Sequence, residues 1–307
     1  MPSVSERTSF PAGVIALLAI GLFWGANWPI MKIGLHDAGP IAFAAMRNGG
    51  GAVVLFAVLV MLGRVSRPVG WPGLVALGLL QTTGQVGLSV WALTVGGAGK
   101  VAVLVYTMPF WVVLLAWPLL GERIGRAQWL ALGCGLAGVI AIVDPRALRG
   151  ASLASDLLAL GSSICWALGS IVAKRLRLAG DLLANTAWQM LFGSIPLIVL
   201  AFVIPERAVI WSDAFRWAIG YNVFVATALA WFLWMFALRA LPASIASMGL
   251  LITPVIGVCI AWLVLAERPG PLEIAGMLLI SGSLLIVALV RVPSGRYEAS
   301  SDSRAAR

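Results

Sequence analysis

Charge is scarce in this 307-residue sequence: 11% of its residues are charged, against 61% hydrophobic. A soluble domain carries about 25% charged and about 45–50% apolar residues, so a solvated globule is excluded. Disorder is excluded too, because it needs low hydropathy, and mean hydropathy here is +1.00. The apolar excess must face lipid. Histidine occurs once, at His36, and the three cysteines, Cys134, Cys165 and Cys259, are scattered through apolar runs. That leaves no zinc-ligand spacing and no Ser-His-Asp system, so neither a metal nor a cofactor is expected. The 34 glycines follow no every-third-residue period, which excludes collagen. Each of the 12 acidic residues falls in a loop, a tail or a run end, none in mid-run. A proton relay through a mid-membrane carboxylate is therefore not expected.

What the sequence has is long apolar runs. A bilayer core of about 30 Å needs about 20 apolar residues per helix. Ten such runs are predicted: 12–34, 40–62, 71–95, 98–119, 126–143, 154–176, 182–204, 214–238, 243–265 and 271–290. They are continuous and too long for barrel strands of about 10 alternating residues, so the fold class is all-α integral membrane. The first run follows Glu6 and Arg7 without a basic cluster or an A-x-A cleavage pattern, and is read as a transmembrane helix rather than a signal peptide. Turn-forming residues mark the breaks, among them His36-Asp37-Ala38-Gly39-Pro40, Gly121-Glu122-Arg123, Asp144-Pro145-Arg146, Pro205-Glu206-Arg207, Leu241-Pro242 and Glu267-Arg268-Pro269. Residues 291–307 read as a polar cytoplasmic tail. The net charge of +9 sits in short loops, where it signals orientation rather than nucleic-acid binding. With the amino terminus inside, thirteen basic residues fall on the cytoplasmic side and five opposite (Arg146, Arg149, Arg207, Arg216 and Arg268). Both termini are thus expected in the cytoplasm.

Two segments, 12–143 and 154–290, echo each other. Trp24 and Lys32 in the first run match Trp166 and Lys174 in the sixth; at the same offset Arg47 faces Gln189. Pro109, Trp117 and Gly121-Glu122-Arg123 match Pro254, Trp262 and Ala266-Glu267-Arg268. Five spans per copy is an odd number, so the second copy enters the membrane from the opposite side. Inverted repeats of this kind recur in secondary transporters. The pattern Phe23-Trp24-Gly25-Ala26-Asn27, Arg47, and the segment Pro109 to Arg123 with its copy Pro254 to Arg268 resemble the EamA-type drug/metabolite transporter superfamily. That resemblance covers nearly the whole chain. It implies two five-helix bundles around a central substrate cavity, working by alternating access. Within the superfamily the chain is most similar to bacterial exporters of amino acids, aromatic ones included.

Polar and aromatic residues inside the runs are the candidate site. Trp24, Asn27 and Trp28 share a helix face, as do Ser163, Trp166 and Ser170, and the two sets would line a path between the copies. Helix packing is the competing reading, since Gly21 and Gly25 form a small-xxx-small stripe. Gln81 and Gln85, one turn apart and continuing to Ser89, either line the cavity or bond between helices. Trp231 joins the substrate-binding set from the eighth run, where Tyr221 and Asn222 read as near an interface. Pro109 and Pro254 free a carbonyl each and are candidate hinges; Tyr106 points a hydroxyl toward the same space or sits in the core. Arg47, ~10 Å deep at 1.5 Å per residue, is read as structural rather than as a carboxylate receptor, and Lys32 and Lys100 as snorkelling. Trp71, Trp211 and Trp217 read as interface anchors. Gly133-Cys134-Gly135-Leu136-Ala137-Gly138 satisfies a dinucleotide-binding pattern, but lies in an apolar helix and is rejected.

The expected substrate is neutral or zwitterionic and amphipathic. Clustered Lys and Arg that would hold phosphates are missing at depth. The function expected is export of amino acids or related hydrophobic metabolites across a bacterial inner membrane, by facilitation or exchange, with the lipid bilayer and a small-molecule substrate as partners and oligomeric state open. Broad drug or metabolite efflux is the alternative within the class. A non-transporting scaffold or an intramembrane enzyme is the alternative outside it, the latter lacking a visible catalytic group.

Overall fold

The computed structural model describes residues 4–120, 125–143, 151–176, 181–240, 252–266 and 268–289. Among the described residues every regular element is helical. In chain order they are α1 (Val4–Gly34), α2 (Pro40–Met61), α3 (Trp71–Gly78), a first π-helical segment (Leu79–Gly84), α4 (Gln85–Val95), α5 (Ala98–Val105), α6 (Met108–Leu120) and α7 (Arg126–Val143). Then come α8 (Ala151–Leu176), α9 (Leu182–Val203), α10 (Asp213–Gly220), a second π-helical segment (Tyr221–Leu229), α11 (Ala230–Ala240), α12 (Ile252–Leu265) and α13 (Pro271–Leu289). The tail 291–307 and the breaks at Gly121-Glu122-Arg123, Asp144-Pro145-Arg146, Leu241-Pro242 and Glu267 lie outside the described residues.

Six stretches are long and apolar enough to cross a membrane: Ala12–Gly34, Pro40–Met61, Trp71–Val95, Leu153–Ala173, Leu182–Val203 and Asp213–Trp234. Shorter apolar helices, Ala98–Val112, Trp129–Ala141, Val255–Leu265 and Ile274–Ser283, fall on the other expected runs. The fourth run is not one straight helix. It breaks at Tyr106 and Thr107 between α5 and α6, and Pro109 is the second residue of α6. Proline is tolerated in a first helical turn, where its missing N–H would have no intrahelical partner. Pro254 stands in the third position of the described part of α12, and the residues before it lie outside the described set.

Large apolar side chains point outward, Met61, Phe202 and Leu263 among them. In water such a surface would mark an interface; on helices of this length it is the face that lipid covers. Inside, α1 packs on α11 and α12, α2 on α9, α4 on α8, and α7 on α13. The glycine-rich stretch of α7 serves this packing: a Cβ at Gly138 would stand 2.8 Å from the Gly276 carbonyl oxygen. Closer still is the approach of α3 to α9. A Cβ on Gly78 would meet the Gln189 carbonyl oxygen at 2.5 Å and the Gly193 nitrogen at 2.8 Å, so only glycine lets these backbones touch. Beside this contact the Thr83 hydroxyl donates to the Gly193 carbonyl at 2.6 Å.

The helix ends are tied in two groups. At one end, the Glu206 carboxylate accepts from the backbone N–H groups of Ile41 (3.0 Å) and Ala42 (2.9 Å), capping α2. Next to it, Arg207 donates to the carbonyls of Leu35 and Ala38 just past the end of α1. A carboxylate at a helix start and a guanidinium at a helix end both oppose the macrodipole. The Ser212 hydroxyl donates to Asp37, and His36 Nδ1 lies 3.0 Å from the same carboxylate. These bonds hold the Asp37 carboxyl below the usual carboxylate range, Ser212 contributing most. Lys32 Nζ donates to the Gly96 carbonyl at 2.5 Å, the Ser155 hydroxyl donates to Ala92, and Lys100 pairs with Asp156 at 2.9 Å. Lys32 and Lys100 thus bond within the protein rather than simply snorkelling, and Asp156, expected at a span end, is fully buried. At the other end, Arg64 pairs with Asp181 at 2.5 Å, while Asp181 caps α9 by accepting from the Leu183 N–H at 2.8 Å. There the Trp188 indole also donates to the Ser66 carbonyl.

Candidate functional site

A cavity of about 60 Å³ lies between helices drawn from both ends of the sequence. From α1 it is lined by Trp24, Asn27, Trp28 and Met31, whose spacing places them on one helix face. Arg47 reaches it from α2; Gln85, Val86 and Ser89 from α4; Val105, Tyr106 and Met108 from the broken helix; Trp166 from α8; Trp231 from α11.

The aromatic side chains form one connected cluster. Trp24 is the hub, with ring centroids 6.3 Å from Trp166, 6.0 Å from Trp231 and 6.3 Å from Trp234. Trp166 and Trp231 are 5.7 Å apart. Trp24 meets Trp166 and Trp231 edge-on, a geometry that indole quadrupoles favour, worth about 0.5–1.5 kcal/mol per pair beyond burial; the other two contacts are tilted. The Trp24 indole N–H donates to the Ala226 carbonyl at 2.9 Å, inside the second π-helical segment. On the other side Trp28 meets Tyr106 edge-on at 6.2 Å. π-Helical turns recur at functional sites, and here one ends immediately before Gln85 while the other carries the acceptor for Trp24.

Of the residues singled out from sequence, Trp24, Asn27, Trp28, Gln85, Tyr106, Trp166 and Trp231 line this cavity. Three do not. Gln81 is buried and its carbonyl accepts from Gln189 at 3.1 Å, a bond between helices. Ser163 accepts from the Thr107 hydroxyl at 3.2 Å, just behind the break in the fourth run. Ser170 donates back to its own helix at the Trp166 carbonyl. Arg47 changes most. Read from sequence as a structural residue, it lies on the cavity wall, 6% exposed. Its guanidinium donates to Met31 Sδ at 2.8 Å and reaches the Thr227 hydroxyl only at 3.5 Å. The cavity is therefore not purely neutral. The signal was available in the sequence: a cation about two turns into an apolar helix. Met31, Val86, Val105 and Met108 carried no such signal, since a lining apolar residue and a core one look alike.

A second, larger hollow of about 310 Å³ lies at the end of the molecule where Lys32 and Lys100 are found, lined also by Gly97, Gly99, Val258, Ala261, Arg268, Pro269 and Met277. It adjoins the cavity along two helices. On α1, Met31 lines the cavity and Lys32 the hollow; on α5, Val105 lines the cavity and Gly99 and Lys100 the hollow. Among the described residues no group of three or more His, Cys, Asp or Glu could hold a metal.

The sequence model of the EamA-like transporter family matches residues 11–144 and again 153–289. The chain belongs to the EamA-like transporter family. It is a multi-pass membrane protein of a transporter family. Its relatives include the "Uncharacterized transporter YoaV" of Bacillus subtilis, 29% identical over 275 residues, which span 87% of this chain and 93% of that protein. The "Uncharacterized inner membrane transporter YedA" of Escherichia coli is 25% identical over 286 residues, spanning 92% and 90%. A protein named "Probable amino-acid metabolite efflux pump", also from E. coli, is 26% identical over 287 residues, spanning 89% and 93%. A solved crystal structure shares the fold, with a TM-score of 0.64 at 18% identity over 90% of this chain and 96% of its own.

Proposed function

We propose that this EamA-family transporter exports amino acids or related zwitterionic amphipathic metabolites across a bacterial inner membrane, by alternating access and without a cofactor. The observation that carries the reading is the cavity, which combines an indole cluster with a few polar groups. Among the described residues no carboxylate lines it, which favours facilitation or exchange over proton relay through an acid at that depth. The relative named as an amino-acid metabolite efflux pump supports the substrate class. A ligand pocket commonly holds about 300–1,000 Å³, several times the present cavity, so a solute enters only if the surrounding helices separate. The Trp24–Trp166–Trp231 contacts are the closure that would part.

The architecture we propose is ten spans in two inverted five-helix repeats, 12–143 and 154–290, with both termini and the tail 291–307 in the cytoplasm. Matched helix bounds support it: 142 residues separate the starts Pro40 and Leu182 and Trp71 and Asp213, and the ends Met61 and Val203 and Gly78 and Gly220. Both π-helical segments begin at that same separation, at Leu79 and Tyr221. The end of α1 and the start of α8 share one end of the molecule through Lys32, Gly96, Ser155 and Asp156, which makes these helices antiparallel. Pro109 and Pro254 would act as hinges beside the cavity. Purified full-length protein in proteoliposomes tests the function. Counterflow of at least one amino acid in a broad panel, without any other protein, is the expected result; no flux above empty vesicles across the panel would contradict it.

A further inference from the structure

The cavity holds two buried polar atoms of opposite kind with no hydrogen-bond partner. One is Arg47 Nε, a donor on a cation; the other is Asn27 Oδ1, an acceptor on a neutral amide. Both residues are more than nine-tenths buried and both line the same cavity. A guanidinium offers five N–H donors. Here its contacts are a thioether sulfur, which is a weak acceptor, and a hydroxyl at the limit of bonding distance. Among the described residues no carboxylate pairs with it. An isolated cation taken out of water is costly unless an anion and its hydrogen bonds replace the lost hydration. The fork of a guanidinium matches a carboxylate in shape as well as charge.

We propose that Arg47 receives the carboxylate of the transported solute and that the Asn27 carbonyl accepts from its α-ammonium group, so that the cavity reads a zwitterion while the surrounding indoles receive its side chain. This rests on the transport reading above and narrows it: solutes without a carboxylate, cationic drugs included, are poor cargo. Position along the chain adds support. Arg47 and Gln189 are both the eighth residue of their helices, α2 and α9. Gln189 is satisfied by Gln81; Arg47 is left facing the cavity.

The test is equilibrium binding and proteoliposome uptake of phenylalanine, phenylalaninamide and N-acetylphenylalanine, using the full chain and two variants, Arg47→Lys and Arg47→Gln. Loss of a hydrogen-bonded charge partner predicts that the wild type binds the acid about 10- to 100-fold more tightly than the amide. N-acetylation, which replaces the charged ammonium donor by a neutral amide with one N–H, predicts a loss of about 2- to 10-fold. Arg47→Lys keeps part of the acid-over-amide preference and Arg47→Gln abolishes it. A purely structural Arg47 would lower the amount of folded protein without moving that ratio. Equal wild-type affinity for acid and amide, no binding of the acid, or a preference that survives in Arg47→Gln overturns the carboxylate assignment. Equal affinity for the N-acetyl compound overturns the Asn27 assignment. Binding with the predicted ratio but no uptake would uphold the inference and remove the transport reading instead. Because the acid-to-amide ratio is read on the wild type, a variant that fails to fold does not remove the test.

Discussion

Arg47 and Gln189 stand at matching places on α2 and α9, yet they do opposite things. Gln189 donates to Gln81 across a buried helix contact, and both amides are bonded. Arg47 is as deeply buried but is left with a sulfur and a distant hydroxyl. A second pair tells the same story in the backbone. Gly78 touches the backbone of α9, whereas no atom of the described residues lies within 4 Å of a Cβ built on Gly220, its counterpart 142 residues on. The two parts of the chain thus agree in where helices begin and end and differ in what their side chains are asked to do. One element is packed shut, the other keeps an uncompensated charge beside a cavity. Packing fixes a frame, and function depends on where the frame is left unsatisfied.

The largest effect should come from breaking this asymmetry. Arg47→Gln makes the two helices alike at that position and should cut uptake of a carboxylate solute by about 10- to 100-fold, as expected when a charged hydrogen bond is lost. Gln189→Leu leaves the cavity wall unchanged and should cost stability, about 1–3 kcal/mol for an orphaned Gln81 amide, rather than acid-over-amide selectivity. Uptake kinetics and thermal unfolding in the same detergent separate the two. Next in size is the glycine pair. Gly78→Ala drives a methyl into backbone atoms and should destabilise by about 1–3 kcal/mol, while Gly220→Ala should leave the unfolding temperature unchanged or slightly raised. Equal effects at both sites would mean that the close approach of α3 and α9 carries no weight. Trp24→Ala should raise KM and change flux while the folded fraction persists, because three ring contacts are lost but the helix contacts of α1 remain. Unaltered kinetics would remove the indole cluster from the transport path.

The smallest effect belongs to the clasp between the first loop and the start of α10. Asp37 has its carboxyl held below the usual range by Ser212 and then by His36. A depressed carboxyl contributes stability that is fully present above its unfolded-state pKa and is lost as pH falls through the lower folded value. Acid unfolding of the wild type should therefore begin at lower pH than that of Ser212→Ala. Coincident acid transitions would show that the clasp is not linked to folding.

Much of this was legible in the sequence. Apolar runs located α2, α9, the α3–α4 stretch and the end of α1 to within a few residues, because a lipid-facing helix needs an unbroken run whatever surrounds it; α1 itself starts eight residues before its run, at Val4. The indoles of Trp24, Trp28, Trp166 and Trp231 and the amide of Gln85 stood out for the same reason: polar and aromatic groups in apolar runs have few places to go. Direction was harder to read. Gln81 and Gln85 are one turn apart, but the π-helical segment between α3 and α4 shifts the register, and only Gln85 faces the cavity. Lys100 and Asp156 lie 56 residues apart and nothing local announces their pairing. Glu206 and Arg207 looked like a plain loop; their task, closing the exposed ends of α2 and α1, exists only once distant helices are brought together.

The most direct test of the account is access to the cavity from each side in turn. Cysteine placed at Gln85, in protein freed of Cys134, Cys165 and Cys259, is exposed to membrane-impermeant thiol reagents from either face of sealed proteoliposomes. The account predicts labelling from both faces, with the balance between them shifted by saturating substrate. A residue that reacts from neither face, or from one face only and without response to substrate, would contradict a cavity that opens alternately to the two sides.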